Sequence, residues 1–507
     1  MFPDQVQSLE ALSDLVSHRF SRRRRHHRRD HGDHVGGVAL RSGTGIALVA
    51  ATTVASMAAF LDAYVVNVAV PAIQQDLGAS GAALQWSLTG YLVTVAALLL
   101  VAGALADRFG RRRILTVGLY VLLVSSILAA IAPSTGTLIA ARFAQGAGAA
   151  LVTPSSLALL NGTLRTVDRP RAIGIWVGLA TLGTTLGPYL GGWLVDHASW
   201  RAVFLLNLPL SIAGLLALRR VPESRAARTG PFDGLGAVLG LLGIGGAVYA
   251  LTEGAAAQWL QPNVVIAALI GGVALAALPA VERRAHTPML KGSLFASRQF
   301  DAINATTVLF YGALAAASYL LVVHLQLRLG YSAAQAGAAL IPNSIVLLAL
   351  SPLSGTLVAR LGPRWLMAAG ILLVAIAWAL LSGVTPGDRY VTAILPAALL
   401  WGLGLALTVA PLTAAVLAAV PDTDLGEASA VNDAAARLGA VIAIALVPAL
   451  LGGGGAELSE ALAGGYQTAM VALAALGAAA ALISALFTTN PTRRPSPARA
   501  IYASEQP

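Results

Sequence analysis

Fourteen long apolar runs are the feature that most restricts how this 507-residue chain can fold. Each is close to the ~20 residues that cross about 30 Å of hydrocarbon as an α-helix. Lipid offers no partner for backbone polar groups, so helices rather than open strands are expected. Only 11% of the residues are charged, less than half the share of about 25% in soluble domains. The sequence therefore predicts an all-α integral membrane protein, with spans at 46–70, 83–106, 114–132, 137–161, 172–195, 203–218, 235–252, 263–281, 303–325, 336–358, 365–384, 391–416, 429–450 and 466–487.

The basic residues alternate with the spans and so predict the orientation of the chain. Twenty-eight of the 33 Lys and Arg residues lie before span 1 or after even-numbered spans, whereas the opposite side holds only Arg201, Arg328 and Arg389. Lys and Arg are enriched in cytoplasmic loops, so both termini are expected to be cytoplasmic. The net charge of +10 is thus mainly a topology signal. Abundant Ala, Gly and Arg favour a bacterial source, and hence a multi-pass protein of the plasma (inner) membrane.

The N-terminal stretch "RRRRHHRRDHGDH" is predicted to belong to a disordered, basic cytoplasmic tail over residues 1–43. Blocks of like charge are usually disordered, and this one would also lie against anionic lipid. A nucleic-acid arm, or a zinc site formed by the histidines, is the alternative. Nothing around those histidines fixes a metal geometry, so neither bound metal nor nucleic acid is expected. No cleavable signal peptide is evident, because the first apolar run begins near residue 46.

An internal repeat divides the chain into two halves. The segment "GALADRFGRRRILTVG" (103–118) aligns with "GTLVARLGPRWLMAAG" (355–370), with six identical positions. Both copies lie in turns on the same side, which implies two parallel six-helix halves with two helices inserted between them. Parallel repeats about an axis along the membrane normal are a transporter architecture. The expected domains are 1–43, 44–220, 221–299 with the inserted helices, 300–488, and a cytoplasmic tail at 489–507.

Five motifs make the chain resemble the major facilitator superfamily, in its fourteen-span drug:proton antiporter type. They are "GALADRFGRRR" between spans 2 and 3, "RFAQGAGAALVTPSSLALL" in span 4, "GTTLGPYLGG" in span 5, "LDAYVVNVAVPAI" in span 1 and "WRAVFLLNLP" leading into span 6. The resemblance extends from about residue 46 to 488. It implies the major facilitator fold and export of lipophilic, often cationic compounds driven by the proton gradient. The motif residues that it singles out, beyond those discussed below, are Gln145, Gly146, Gly183, Gly187, Pro188, Gly191, Gly192, Asn67 and Pro71.

The turn between spans 2 and 3 is predicted to act as a conformational latch. Asp107 is expected to accept hydrogen bonds at the N-terminus of span 13, where Ser429 offers a cap. The second copy has Ala359 at the equivalent position, so only the first turn supplies a carboxylate. Gly103 is expected to allow close helix contact and Gly110 a tight turn. The remaining residues assigned to this turn are topology anchors on any interpretation: Arg108, Arg111 and Arg112.

Asp62 is the only acid that these boundaries place well inside a span. A charge in lipid is costly, so an intramembrane acid is treated as a functional residue by default. Counting 1.5 Å per residue, Asp62 and Arg142 lie at nearly the same depth. We expect them to pair and to gate proton transfer, with Gln145 sharing their network. The alternative is a static structural pair.

Other residues carry weaker predictions. The span-5 motif has no titrating group and is interpreted as a hinge or seal between the halves. Asn67 and Pro71 are expected to shape the outer end of span 1. Arg437, with Asn432 and Asp433 nearby, is either a second polar site or an interfacial anchor, and Glu253 is expected to be solvated. Aromatic residues that could line the substrate cavity are Trp86, Tyr91, Tyr311, Tyr319 and Trp401.

The sequence contains no catalytic set, no phosphate-binding loop and no cysteine, so an enzyme is not expected. We expect a monomer in the lipid bilayer that exchanges a small-molecule substrate for protons and holds no cofactor. Uptake by a proton-coupled or facilitated carrier is the nearer alternative, and a non-transporting membrane sensor is the more distant one. The sequence does not identify the substrate.

Overall fold

Helices make up nearly all of the residues that a computed structural model describes, which are 37–225, 233–254, 259–285, 292–421, 425–452 and 458–490. The predicted all-α fold is confirmed: these residues form no β-strand beyond one isolated bridge between Val38 and Leu164. Within the described residues, 13 helices could cross a membrane, or 14 when a pair bent by 53° counts as one span. The predicted tails lie mostly outside the described residues, at 1–36 and 491–507.

We label the fourteen segments α1 to α14 in chain order. They are α1 (Gly43–Leu77), α2 (Gly81–Phe109), α3 (Arg111–Ala130), α4 (Thr135–Thr163), α5 (Arg169–His197), α6 (Trp200–Leu218), α7 (Gly234–Glu253), α8 (Pro262–Glu282), α9 (Arg298–Leu327), α10 (Ala333–Ala338 and Ile341–Leu361), α11 (Pro363–Leu381), α12 (Tyr390–Ala418), α13 (Leu425–Ala445) and α14 (Leu458–Phe487). A 3₁₀ turn at Val66–Ala69 interrupts α1, and the bent pair lies in α2.

Serine side chains begin several of these helices. The Ser42 hydroxyl accepts from Gly45 N, and the Ser80 hydroxyl accepts from Ala83 N. Ser134 and Ser332 form reciprocal capping boxes at the starts of α4 and α10. Because the first N–H groups of a helix have no partner within it, such caps fix where each span begins.

The repeated turns have the same backbone form in both halves. Gly110 has φ +113° and Gly362 has φ +77°, a region that side-chain-bearing residues rarely adopt. Each turn is held by a residue just beyond the last helix of its own half. Arg112 N donates to Glu223 Oε1 at 2.9 Å, and Arg364 N donates to Asn490 Oδ1 at 3.1 Å. We call the membrane face that carries these two turns the basic face, and the other the opposite face.

Glycine pairs repeat in the same way inside the halves. A Cβ at Gly148 in α4 would lie 2.9 Å from the Gly118 carbonyl oxygen in α3. A Cβ at Gly404 in α12 would lie 2.6 Å from the Gly370 carbonyl oxygen in α11. Small residues let membrane helices approach until their backbones touch. Gly118 and Gly370 are equivalent positions of the sequence repeat, so the predicted relation between the halves extends to helix packing.

The two halves meet at the opposite face. The Asp196 carboxylate, in α5, accepts from Ala333 N at 3.0 Å and Ala334 N at 2.8 Å, where α10 begins. Gln85 donates to the Ile444 carbonyl oxygen, which joins α2 to α13. The inserted helix α7 also packs against both α2 and α13, in a cluster formed by Val93, Val248, Val441 and Ala445.

Replacing Gly148 by Val should destabilise the first half, because the added atoms would press on Leu122 N and the Gly118 carbonyl oxygen. Overpacking of this kind costs about 1–3 kcal/mol. Gly136→Val is the matched control on the same helix, since a Cβ at Gly136 meets nothing within 4 Å. Thermal unfolding of the purified protein in detergent should show a lower midpoint for Gly148→Val only. Equal midpoints for the two variants would contradict the packing argument.

Candidate functional site

The centre of the first half is a sealed ion pair between α1 and α4. Asp62 Oδ2 lies 2.5 Å from Arg142 NH1, and the two side chains are 0% and 1% exposed. The predicted contact between these residues is therefore confirmed. Gln145 shares it as predicted, since its Nε2 donates to Asp62 Oδ1 at 3.2 Å and its Oε1 accepts from Arg142 at 3.0 Å.

Helices α3 and α6 complete this network. Asn207 Nδ2, in α6, donates to Asp62 Oδ1 at 2.6 Å. The Ser126 hydroxyl, in α3, accepts from both Gln145 and Asn207. Neither Asn207 nor Ser126 is among the residues predicted from the sequence. The available signal was a polar side chain in an otherwise apolar run, "FLLNLPL" and "LVSSIL". A buried carboxylate that accepts three donors is one whose charge is compensated on several sides.

The arginine is held as firmly as the acid. Arg142 Nε donates to the Ser87 carbonyl oxygen of α2 at 2.9 Å. Its guanidinium lies over the Tyr91 ring at 4.6 Å, and the Tyr91 hydroxyl donates to the Ala59 carbonyl oxygen of α1 at 2.6 Å. A Cβ at Gly146 would overlap the Tyr91 carbonyl, so the glycine next to Gln145 lets α4 approach α2. The network thus joins α1, α2, α3, α4 and α6 around one carboxylate.

A second polar group lies in the other half. Arg437 Nε is 3.1 Å from Asp433 Oδ2, and the two side chains are 14% and 45% exposed. Asn432 Nδ2 donates to Asn304 Oδ1 and to the Thr307 hydroxyl, both on α9. The prediction that Asp62 is the only acid well inside a span was wrong. α13 begins at Leu425, earlier than the apolar run indicated, which places Asp433 near the middle of that helix.

The turn between α2 and α3 makes contacts that differ from those expected. Asp107, near the end of α2, pairs across the turn with Arg111, the first residue of α3, at 2.8 Å, and is 43% exposed. A different carboxylate, that of Glu223, caps the N-terminus of α3, where it accepts from Arg112 N and Arg113 N. The close contact expected at Gly103 was wrong for this structure, since a Cβ there meets nothing within 4 Å.

The span-5 motif packs α5 against two partners. Gly183 and Gly187 lie against Met57 and Leu61 of α1, and a Cβ at Gly191 would overlap Val65. On the other side of the same helix, a Cβ at Gly192 would overlap the Ala333 carbonyl of α10. A Cβ at Gly337 of α10 would likewise overlap the carbonyl of Pro188.

The part of α1 nearest the opposite face has the local shape that its motif suggested. Asn67 is buried within the 3₁₀ turn, and Pro71 occupies the first turn of the helical segment that follows. Pro lacks a backbone N–H, so this position costs no hydrogen bond.

Most of the aromatic residues proposed for a cavity are packed instead. Tyr91, Tyr319 and Trp401 are 1%, 5% and 0% exposed, so they line no open cavity in this structure. Tyr311 is half-buried and meets the Phe310 ring edge-on at 5.5 Å. Trp86 is also half-buried, and its Nε1 donates to Glu253 Oε1 at 2.6 Å, which corrects the expectation that Glu253 is merely solvated.

Comparison with known sequences gives a consistent set of relatives. A family model described as Major Facilitator Superfamily matches residues 52–281 and 303–504. The chain is 35% identical over 394 residues to the multidrug resistance protein Stp of Mycobacterium tuberculosis, covering 77% of this chain and 73% of that protein. It is 34% identical to the puromycin resistance protein pur8 of Streptomyces alboniger, covering 78% and 79%. It is 31% identical to a methylenomycin A resistance protein of Bacillus subtilis, covering 88% and 95%.

Solved structures share the fold at low identity. The POT family transporter PepTSo matches with a TM-score of 0.65 and 14% identity, covering 91% of this chain and 98% of that one. The xylose transporter XylE from E. coli, in an inward open conformation, matches with a TM-score of 0.60 and 15% identity, covering 89% and 98%. At these identities the likeness establishes the architecture alone.

Arg142→Lys should lower stability although it keeps the charge. A lysine cannot contact Asp62, Gln145 and the Ser87 carbonyl at once, because it lacks the planar fork of the guanidinium. Hydrogen bonds to charged groups contribute about 1.5–3 kcal/mol each, so a large drop in the unfolding midpoint is expected. Arg437→Lys is the control, since Arg437 meets a half-exposed Asp433. A midpoint for Arg142→Lys no lower than that of Arg437→Lys would contradict the network described here.

Proposed function

The chain belongs to the major facilitator superfamily of membrane transporters, and from that premise we propose that it exports small lipophilic compounds across the bacterial plasma membrane in exchange for protons. The observation that carries the proposal is the sealed pair of Asp62 and Arg142, an acid in the middle of a span with a buried basic partner. Three of its relatives are named for resistance to multiple drugs, puromycin and methylenomycin A, which supports outward movement of the substrate.

The arrangement of the halves supports one step of an alternating-access cycle. They meet at the opposite face, through Asp196 and the start of α10 and through Gln85 and Ile444. The equivalent glycines Gly103 and Gly355, near the basic face, both meet open space. With the basic face in the cytoplasm, as the distribution of Arg and Lys favours, this state is open inward and ready to take up a substrate.

Proton exchange at Asp62 would change the contacts of Arg142. A carboxylate that gains a proton loses its attraction for the guanidinium and acquires an O–H that needs an acceptor. Asn207 Oδ1 is a buried oxygen with no hydrogen bond to the described residues, and it belongs to the amide that already contacts Asp62. Protonation can thus be accommodated within the network while Arg142 is released to shift α4 against α1.

The half-exposed Asp433 gives the second half a different part in the cycle. It lies near the middle of α13 with Arg437 one turn away, in reach of water as Asp62 is not. An accessible carboxylate in a membrane protein can meet a cationic substrate at little desolvation cost, whereas a sealed one cannot. We assign proton coupling to Asp62 and contact with cationic substrates to Asp433.

Asp62→Asn should abolish proton-driven transport while leaving the protein folded. Asparagine keeps the size and two of the polar contacts but cannot titrate. In vesicles with an imposed pH gradient, uptake of ethidium and puromycin into inverted membranes should fall to the level without a gradient. Binding of the same compounds to the purified variant should persist.

The control for this experiment is Asp388→Asn, in the loop before α12, where the carboxylate contacts only Thr385. It should transport as the natural protein does. Folded Asp62→Asn protein that still concentrates substrate with the proton gradient as the sole energy source would remove the coupling role.

The two latch carboxylates should shift the conformational equilibrium in opposite directions. Asp196→Asn weakens charge-assisted bonds that close the opposite face, so the population open at that face should rise about two- to fivefold. Asp107→Asn should instead favour the state described here, if Asp107 reaches the start of α13 when the basic face closes.

The chain has no cysteine, so pairs of spin labels can be placed at exposed sites such as His197 and Arg328 and their distances measured. A shift in the same direction for both variants would contradict the two-latch scheme.

A further inference from the structure

The two inserted helices form a cleft with the first half. The cleft is lined by residues of α2, α4, α7 and α8 and has a volume of about 460 Å³, within the range of small-molecule sites. Its walls are almost wholly apolar. The lining residues are Val93, Thr94, Phe143, Leu241, Leu242, Gly245, Gly246, Tyr249, Ala267 and Ile270.

This cleft opens toward the lipid and not toward the sealed ion pair. Phe143, Leu242 and Ile270 are 36%, 45% and 47% exposed, and Leu242 and Ile270 lie near the middle of α7 and α8. Gly245 lies at the twelfth position of the 20-residue helix α7, and a Cβ built on it meets nothing within 4 Å. Any larger side chain at position 245 would enter the cleft, so the cleft depends on that glycine.

One end of the cleft carries three aromatic rings and a carboxylate. The Trp86 ring lies 5.9 Å from Phe143 and 5.7 Å from Tyr249, between centroids. Trp86 Nε1 donates to Glu253 Oε1, which fixes the carboxylate next to the ring. Glu253 follows Tyr249 by four residues, so both lie on the face of α7 that lines the cleft.

We infer that this cleft is a membrane-facing binding site for a lipophilic organic cation, separate from the Asp62 network. The apolar body of the ligand lies between α2, α4, α7 and α8. Its positive charge lies against Glu253 and the ring faces of Trp86 and Tyr249.

Charge and geometry together favour a cation over a neutral lipid chain. An aromatic face attracts a positive group, and the attraction grows when water is excluded. A carboxylate at the end of an apolar cleft would repel an anion and would give a neutral chain no advantage. The ligand reaches the site from within the bilayer, because the exposed side of the cleft faces lipid.

Photoaffinity labelling in lipid nanodiscs tests this site directly, because it reports position as well as binding. The probes are an aryl azide of tetraphenylphosphonium and the neutral aryl azide of tetraphenylmethane, which has nearly the same shape. Mass spectrometry should place adducts of the cationic probe on residues 241–249 and 267–270 of the natural protein. The neutral probe should label the same peptides at least about tenfold less, the ratio expected for a partly desolvated cation–aromatic contact.

Three variants separate the outcomes. Gly245→Leu fills the cleft and should abolish labelling there, whereas Gly240→Leu is the matched control, since a Cβ at Gly240 also meets nothing within 4 Å but does not line the cleft. Glu253→Gln should reduce cationic labelling part of the way toward the neutral level, because the rings of Trp86 and Tyr249 remain in place. Equal labelling by both probes, unchanged by Glu253→Gln, would mean that the cleft holds neutral lipid and would overturn the inference.

Absence of adducts on α7 and α8, or labelling that Gly245→Leu does not change, would equally overturn it. The assay needs no proton gradient, so its failure is distinguishable from failure of proton-coupled export. Thermal unfolding of each variant before labelling confirms that the compared proteins are folded.

Discussion

A carboxylate and a guanidinium sealed together inside the first half determine much of the surrounding structure. Removing two charges from water is costly, and a buried pair is stable only when its other donors and lone pairs are also satisfied. Gln145, Asn207 and the Ser87 carbonyl meet that requirement here. Five helices must therefore hold their register around Asp62. The glycines of α4 and α5 make this possible, because they let those helices approach α2 and α1 until backbones touch.

The two halves share the same backbone scaffold but differ in their polar side chains. Their basic-face turns have the same positive-φ glycine, a cap from just beyond the last helix, and a glycine contact between the following helices. Their acids differ, since Asp62 is sealed whereas Asp433 is half-exposed. The repeat gives both halves the same scaffold, and its divergence leaves a sealed acid in one half and a half-exposed acid in the other, which is the difference on which the proposed division of roles rests.

Sequence reasoning predicted the helices, the repeat and the Asp62–Arg142 contact, because hydropathy and the cost of a charge in lipid leave few alternatives. It missed Asn207, because a single amide in an apolar run does not indicate which residue it will contact. It misjudged Asp433, because α13 extends beyond its apolar run. It placed Asp107 at the start of α13, whereas Asp107 pairs with Arg111 in this structure. Tyr91 and Trp401 were predicted to line a cavity but are packed in the interior. An aromatic residue that packs between helices and one that lines a substrate path look the same in the sequence.

Proton release on substrate binding tests the central claim most directly. Purified protein in weakly buffered detergent solution would be mixed with ethidium, and the pH change followed with an indicator dye. If Asp62 carries the coupling proton, the natural protein should release protons at a pH where the site is protonated, and Asp62→Asn should bind ethidium with no release. Equal release from both proteins would show that the coupling proton lies elsewhere.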